Sequence, residues 1–421
     1  MKTVAFHTLG CKLNFAESST IIRRFVRNGY RLIGFKEKAD VYVIHSCMVT
    51  QQAERKCIYA LRQARVRNPE ARIAVIGCMT ELNAERLRKE DTELVLLGNN
   101  NKFELPDLLY TAPAENTDKP VRFVPSWSTE GRTRTFFKIQ DGCDYFCGYC
   151  TIPLARGRSR SATIAQTLAS ITEATKKGCS ELVLSGINIG DFGKNNDESL
   201  YGLLLQIKDN TNVSRIRLSS IEPDLASDLI IDLFAAHPCF MPHFHIPLQS
   251  GSDAVLKMMG RKYDTALFAE KARKIKSLMP HACIATDLIT GYPGETETDH
   301  RNTIRFIEKT DISYMHVFTF SERKNTRAIK MEQQVPVKIR KQRSLELHEL
   351  SEQKKQFFYS QHVGRECEAL FESEITYSSL LGYTDNYIRV KIPAGRELAN
   401  SIQKIIITGM DTDGFCTAKL I

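Results

Sequence analysis

The 421-residue chain contains no apolar run long enough to cross a bilayer. Between Met1 and Thr20 there is neither a continuous apolar stretch nor a small-residue cleavage site, so no secretory leader and a cytoplasmic setting are expected. There is also no low-complexity tract and no internal repeat, which leaves ordinary globular domains. A hydrophobic content of 42% and a charged content of 25% agree with that. The length allows two or three domains with sizeable cores. A net charge of +9 fits a polyanionic partner without requiring one. What the chain does have is twelve cysteines. Without an export signal, such usage points to metal or redox chemistry rather than to disulfides.

Cys143, Cys147 and Cys150 are spaced C-x3-C-x2-C, and no fourth cysteine follows nearby. Three thiolates suit a four-iron, four-sulfide cube with one iron left open to chelate a substrate. The competing reading is a structural zinc loop. Zinc normally takes four ligands, commonly as paired C-x2-C units, and this loop offers one such pair.

The first hundred or so residues alternate between strand and helix patterns. Strands are expected at Val4–Thr8, Val41–His45, Ile73–Gly77 and Leu94–Leu97, with helices at Phe15–Arg27 and from about Thr50 to Arg67. The first three strands each run into a loop holding one cysteine: Cys11, Cys47 and Cys78. In open α/β sheets such loops lie side by side at the carboxyl ends of the strands, where ligands collect. One buried cysteine is an ordinary small hydrophobe. Three at equivalent places in successive units make a second candidate three-thiolate site. Cys57 lies on a helix with Ala60, Leu61 and Ala64 at core spacing, and Cys179, Cys239, Cys283, Cys367 and Cys416 read as structural.

Residues 114–129 read as a linker between a domain at 1–113 and one at 130–358. In the latter, strands are expected at Phe136–Ile139, Glu181–Leu184, Arg215–Leu218, His243–Leu248, Cys283–Ile289 and Met315–Phe320. Six such units suggest a partial α/β barrel with its site at the carboxyl ends of the strands. A charged helix at Val337–Phe358 follows, with basic residues from Lys338 to Arg343. Residues 359–421 carry short alternating strands at Cys367–Phe371, Ile375–Leu380, Ile388–Ile392 and Lys404–Thr408, as in a small all-β barrel.

The turns closing the barrel strands are polar or glycine-rich. Ser185 and Gly186 close the second, Ser220 and Glu222 the third, Gln249 the fourth and Gly291 the fifth. Any one is an ordinary strand-to-helix turn; together they outline a pocket for a cofactor. Arg156, Arg158 and Arg160 alternate just after the cysteine loop, and Arg217 alternates with Arg215 on a strand. A solvated basic loop is the common fate of such a run, but guanidinium forks at this position suit a carboxylate or phosphate. His243, His245 and His316 read as core or supporting histidines rather than metal ligands.

With Tyr149 before the third cysteine, the loop reads C-x3-C-x-aromatic-C and resembles the signature of radical S-adenosylmethionine enzymes. Nearly the whole chain resembles the methylthiotransferases of that superfamily. Thr8-Leu-Gly-Cys11-Lys-Leu-Asn14, Ser46-Cys47-Met-Val-Thr50 and Gly77-Cys78 resemble the family's amino-terminal domain, and Gly382–Val390 its carboxyl-terminal TRAM domain. Ile152–Ser161, Arg217–Pro223 and His245–Ser252 are most similar to the threonylcarbamoyladenosine tRNA branch. The resemblance implies an amino-terminal domain holding an auxiliary 4Fe-4S cluster on Cys11, Cys47 and Cys78. It implies a second 4Fe-4S cluster on Cys143, Cys147 and Cys150 that binds and reductively cleaves S-adenosylmethionine. The product would be a 2-methylthio group on the modified adenosine beside the anticodon of tRNA. A pocket for threonylcarbamoyl should supply a cation, expected among Arg156, Arg158, Arg160 and Arg217. Implied partners are the tRNA anticodon loop, a low-potential flavodoxin- or ferredoxin-like electron donor, and a sulfur donor that the residues leave open.

Isopentenyladenosine tRNA and a ribosomal protein aspartate are alternative substrates. A non-catalytic iron–sulfur carrier or RNA-binding module is an alternative of another class. His45 and Asn325 stand where asparagine and glycine are usual. Residues 362–421 hold six Lys/Arg against eight Asp/Glu, so an RNA role there must rest on local faces.

Overall fold

Apolar, β-branched runs punctuated by glycine and proline build the first sheet. In a computed structural model describing residues 1–48, 50–110, 122–128, 133–176, 178–376, 379–393 and 395–421, its strands are β1 (Thr3–Thr8), β2 (Arg31–Ile33), β3 (Val41–Ser46), β4 (Arg72–Gly77) and β5 (Val95–Leu97). They are parallel, in the order β2-β1-β3-β4-β5. Every residue of β3 is buried, as a central parallel strand covered on both faces requires. Helices α2 (Gln51–Arg67) and α3 (Cys78–Glu90) pack Cys57, Leu61 and Met79 on one face. Helix α1 (Lys12–Arg27) packs Ile21 and Phe25 on the other, beside α4 (Leu105–Tyr110). Strand order reverses between β1 and β3, so Cys11 and Cys47 leave the sheet at its topological switch point.

The expected linker is in part a strand. Residues 114–121 and 129 lie outside the described residues, but β6 (Ser126–Trp127) pairs antiparallel with β7 (Arg134–Lys138) and buries Trp127. Two short strands, β8 (Gln140–Asp141) and β9 (Arg160–Ser161), pair with each other and tie together the two ends of the cysteine loop. The barrel continues through β10 (Glu181–Ser185), β11 (Ile216–Leu218), β12 (His243–His245), β13 (Cys283–Thr290) and β14 (Tyr314–Thr319). Its halves β11-β10-β7 and β12-β13-β14 are joined by single bridges at Ile216–Phe240 and Ser220–His245, which gives the expected open six-stranded arrangement. The helix Val337–Ser360 packs along β14, where the Ser351 hydroxyl bonds both backbone groups of Met315.

Strands β15 (Glu366–Thr376), β16 (Ser379–Thr384), β17 (Arg389–Pro393), β18 (Ile402–Met410) and β19 (Cys416–Leu420) form a closed barrel. The single strand expected at Ile375–Leu380 is two: the first ends at Thr376 and the next starts at Ser379. The closing strand β19 was not anticipated.

This small barrel covers the amino-terminal end of the large one. Cys283 and Tyr314, at the starts of β13 and β14, join its apolar core. The Arg217 guanidinium donates to the Asp385 and Thr384 carbonyls, Arg215 to the Tyr383 carbonyl, and Arg134 to the Tyr387 hydroxyl. Glu181 anchors the set, accepting from both Arg215 and Arg217 at 3.0 Å. Burial alone would raise the Glu181 pKa, yet Arg217 and then Arg215 hold it down at about 2.

A carboxylate held that low stabilises the fold above its unfolded value of 4.5 and loses the effect as pH falls toward 2. Glu181→Gln should therefore lower the unfolding free energy at pH 7 by about 3 kcal/mol, the scale of breaking a buried ion pair. In denaturant titrations the gap between variant and wild type should close as pH falls from 4.5 to 2.

Candidate active site

The cysteine loop leaves β8 at Gly142, whose positive φ (+71°) and lack of a side chain let it lie against the Arg158 carbonyl, 2.0 Å from where a Cβ would sit. The Cys143 amide donates to the Gly157 carbonyl (3.1 Å), the Gly148 amide to the Met259 carbonyl (2.8 Å) and the Cys150 amide to the Cys147 carbonyl (3.0 Å). Tyr149 turns inward and meets Tyr292 edge-on. The three thiols are thus fixed by backbone. Burial pushes Cys143 up to about 11 and Cys150 up to about 12, and raises Cys147 against the opposing pull of Arg261.

At the second site the loops converge as the switch point requires. Gly10 has φ +98°, and a Cβ there would lie 2.8 Å from the Cys47 Cβ and 2.9 Å from its Sγ; only glycine lets the β1 loop close over Cys47. Asn14 binds the two loops together, its Nδ2 donating to the Leu9 carbonyl (2.7 Å) and the Ser46 carbonyl (3.1 Å). Cys78 packs with Met48 and with Ala155 from α5 (Ile152–Arg156), the short helix after the cysteine loop. Asn99 Nδ2 lies 3.6 Å from the Cys78 Sγ and donates to the Ala155 carbonyl at 2.7 Å. The second thiol set therefore faces the segment that follows the first.

Among the described residues, neither thiol trio closes to within 4.8 Å, the spacing that a single ion would need. On a four-iron cube the thiolates bind different irons and need not meet at one ion. The charge beneath the second trio fits too. Glu17 is completely buried and binds Lys102 (2.5 Å), Lys138 (2.6 Å) and Arg156 (3.2 Å). Asp141 binds Lys138 (2.8 Å), Arg156 (2.9 Å) and Arg160 (3.1 Å). Two carboxylates face four cations, and the surplus is positive, as an anionic thiolate-bound group would require.

Arg156 borders the cavity beside Arg158 and Arg160, but its guanidinium is turned to other partners. Its guanidinium is spent on Glu17, Asp141 and, at 2.6 Å, the Asn14 Oδ1, so it joins the two cysteine-bearing domains. Burial disfavours its charge, but Glu17 and then Asp141 raise its pKa well above the usual arginine value. Arg217 is likewise committed to Glu181 and the small barrel. Arg160 bonds the Arg156 and Arg158 carbonyls and Asp141. Arg158 alone of the four is exposed, 3.5 Å from Asp144 and stacked over Phe146.

Among the expected cofactor contacts, Glu222 lies beside the cysteine loop, and burial lifts its carboxyl to about 7 despite Arg261. Arg261 bonds Glu222 and donates to the Cys147 Sγ (3.1 Å) and the Tyr149 hydroxyl (3.4 Å). Sequence reasoning missed it; its signal was a cation directly after the Met259-Gly260 helix stop. Ser220 bridges His245, and Gln249, four residues past β12, holds a strained φ of +67° and bridges Leu288. Ser185 turns its hydroxyl to the Val183 carbonyl. A Cβ at Gly186 would meet Gln140, and one at Gly291 would lie 2.2 Å from Arg340 Cγ, so Gly291 is covered rather than open to a ligand. His45 is fully buried, with Nδ1 2.9 Å from the Ser18 hydroxyl and Nε2 3.6 Å from Glu17. Asn325 has φ +67°, a conformation that asparagine, like glycine, tolerates.

Residues 3–98 match the family model described as uncharacterized protein family UPF0004, and residues 137–307 match the radical SAM superfamily. The chain is 34% identical to the threonylcarbamoyladenosine tRNA methylthiotransferase MtaB of Aquifex aeolicus, over 96% of this chain and all of that one. It is 31% identical to the tRNA-2-methylthio-N(6)-dimethylallyladenosine synthase of Desulfitobacterium hafniense, over 96% and 95% of the two chains. The chain belongs to the radical S-adenosylmethionine methylthiotransferases. The cobalamin-bound radical S-adenosylmethionine methyltransferase TsrM of Kitasatospora setae shares the fold, with a TM-score of 0.57 over 78% of this chain and 74% of that one, at 12% identity. As a methylthiotransferase of this superfamily it is a transferase that uses S-adenosylmethionine and 4Fe-4S chemistry. No helix among the described residues is long and apolar enough to cross a membrane.

Because Arg156 neutralises two buried carboxylates, Arg156→Met should lower the unfolding free energy of the RNA-free protein by about 3–5 kcal/mol. Calorimetry checks this: a residue that only contacts substrate would leave the melting temperature unchanged.

Proposed function

We propose that this methylthiotransferase places a methylthio group on carbon 2 of N6-threonylcarbamoyladenosine beside the anticodon of tRNA, using two 4Fe-4S clusters. The observation that carries the two-site reading is the contact across the domains. Asn99 touches both the Cys78 thiol and the Ala155 carbonyl, five residues after Cys150. Cys143, Cys147 and Cys150 would hold the cluster that binds S-adenosylmethionine, and Cys11, Cys47 and Cys78 the one that presents sulfur. When bound, the first group supplies the one-electron chemistry needed to activate an aromatic C–H that no side-chain base can deprotonate.

The chain's own residues orient and enclose. Glu222, Gln249 and Ser220 stand at the strand ends where a nucleoside cofactor would lie, with Arg261 bracing Glu222 against the cysteine loop. The substrate choice rests on MtaB relatives at 33–35% identity over nearly the full chain, against 31% for a dimethylallyladenosine relative. RNA recognition would take an unstacked loop base, the usual target of sequence-specific RNA binding.

Reconstituted protein should bind about eight irons, two four-iron clusters. Changing Cys143, Cys147 and Cys150 to alanine should halve the iron and abolish cofactor cleavage. Changing Cys11, Cys47 and Cys78 should also halve the iron yet leave slow cleavage; full iron in that variant would refute the second site. Anaerobic turnover followed by nucleoside mass analysis tests the substrate. Methylthio product is expected on threonylcarbamoyl-tRNA, and equal or greater product on isopentenyl-tRNA, or product on a ribosomal protein alone, would overturn the assignment.

A further inference from the structure

Side chains on the strands of the open barrel alternate between the helix layer and the lumen. Phe244, Leu288, Met315 and Val317 pack outward in the apolar core. Their neighbours His245, Asp287 and His316 therefore turn inward. The parallel register then brings these three together. Asp287 on β13 pairs directly with His316 on β14, and His245 at the end of β12 pairs with Ala285, which shares the face of Asp287. Among the described residues, theirs is the one set of three or more His, Cys, Asp or Glu side chains whose ligand atoms all lie within 4.8 Å of one another.

The His245 Nε2 lies 3.0 Å from the Asp287 Oδ1. That is hydrogen-bonding distance, yet the two atoms are not aligned as a hydrogen bond, and the buried Nε2 has no partner. A ring nitrogen and a carboxylate oxygen that stand side by side, not aimed at each other, can share a third centre. Donors on one metal with bonds of about 2.1 Å stand roughly 3–3.5 Å apart, so this pair already has the spacing. The ring of His316 is centred 5.5 Å from that of His245, and Tyr314 meets it edge-on at 5.4 Å. His245 and Asp287 are half-buried while His316 is exposed, so the set is open on the side of His316.

We infer that His245, Asp287 and His316 hold a divalent transition-metal ion in the barrel lumen, distinct from both thiol sites. Two imidazoles and one carboxylate suit zinc, manganese or iron(II), whereas an iron–sulfur cluster takes thiolates. Three protein ligands leave a coordination position for an oxygen that arrives with a ligand. That oxygen belongs to the free carboxylate of the adenosine's N6 substituent, a step that rests on the threonylcarbamoyl reading above. Such a carboxylate needs a cation, and Arg156, Arg160 and Arg217 are each held by protein carboxylates. The place is right for it. His245 bridges Ser220, and in the same turn Glu222 is tied through Arg261 to the Cys147 thiol. An uncharged isopentenyl group would gain nothing from the ion.

The first test counts metal. Reconstituted full-length protein is freed of loosely held ions with EDTA, dialysed anaerobically against buffered zinc(II), and its zinc and iron are counted per chain. Wild type should bind one zinc more than His316→Ala or Asp287→Asn at equal iron. Affinity for that zinc should fall about a hundredfold or more in each variant, since losing even an outer-shell contact costs ten- to hundredfold. His316 is exposed and asparagine keeps the shape of Asp287, so both variants should fold, with equal iron as the check. Zinc on free thiols cancels in the difference. Equal zinc in wild type and both variants overturns the inference.

The second test is a binding ratio. Anticodon stem-loops carrying threonylcarbamoyladenosine or its threonyl methyl ester are titrated into the same preparations. Zinc-loaded wild type should prefer the acid by about tenfold or more, the scale of a charge-assisted contact. Zinc-free wild type and His316→Ala should bind acid and ester alike. A preference that persists without zinc overturns the carboxylate's assignment to the ion, as does no preference in zinc-loaded wild type. The zinc count needs no RNA, so the levels separate. Failure of wild type to modify threonylcarbamoyl-tRNA defeats the substrate reading, whereas turnover with equal zinc in all three proteins defeats only the metal site.

Discussion

The arrangement of the two thiol sites depends on one buried carboxylate. Glu17 sits on α1, two turns beyond Cys11, with no exposed surface, and binds Lys102, Lys138 and Arg156. Left alone in such a place it would be protonated or the fold would open, because burying an unpaired carboxylate costs several kcal/mol. Burial does push its pKa up, but Arg156, Lys102 and Lys138, with a smaller effect from His45, bring it well below the usual carboxylate range. The cations come from different parts of the chain: Lys102 from the first domain, Lys138 from the first barrel strand and Arg156 from the helix after the cysteine loop. Glu17 therefore ties the domain of Cys11, Cys47 and Cys78 to the barrel of Cys143, Cys147 and Cys150. A chemistry that moves a group between two metal centres needs such fixed spacing, since misplacing reactants by an ångström costs orders of magnitude in rate.

A second ion cluster closes the other end of the barrel. Glu181, Arg215, Arg217 and Arg134 fasten the small barrel over the starts of the large barrel's strands, and His243 stacks on Tyr387 at 4.4 Å. The small barrel is thus part of the wall of the lumen as well as a candidate RNA-binding module. With the floor covered and α1 packed beside β6 and β7, the carboxyl ends of the strands are the face left for substrate and cofactor, as in other α/β barrels. Charge within is arranged so that Arg215 and Arg217 share the Glu181 carboxylate while Arg134 pairs with Glu372.

Local backbone adjustments serve the same end. Glycine at positions 10 and 77 lets the loops of Cys11 and Cys78 approach Cys47 and His45, where any side chain would collide. Gln249 and Asn325 hold left-handed conformations in the loops that follow β12 and β14. Positive φ in residues other than glycine is uncommon and tends to mark places where neighbouring structure over-determines the chain.

Much of this was legible in the sequence, because the features concerned are local. Period-two and helical patterns found every strand of the first sheet except β2, and all six strands of the open barrel. The three strand-end cysteines and the C-x3-C-x2-C loop were readable as two thiol sets by position alone. Strands β2 and β6 are only three and two residues long, too short to show a period, and β19 at the chain end is fixed by barrel closure. The partners of charged side chains were beyond reach, because a sequence states that a guanidinium exists but not which carboxylate it meets. Arg156 and Arg217 stood at suggestive places, yet Glu17 lies 139 residues from the one and Glu181 is 36 from the other. Glu17 reads as an ordinary carboxylate on a helix. Only the packing of the first domain against the barrel takes it out of water and brings Lys138 and Arg156 to it, and that decision belongs to tertiary structure, because burial is a property of the whole fold and not of any residue in it.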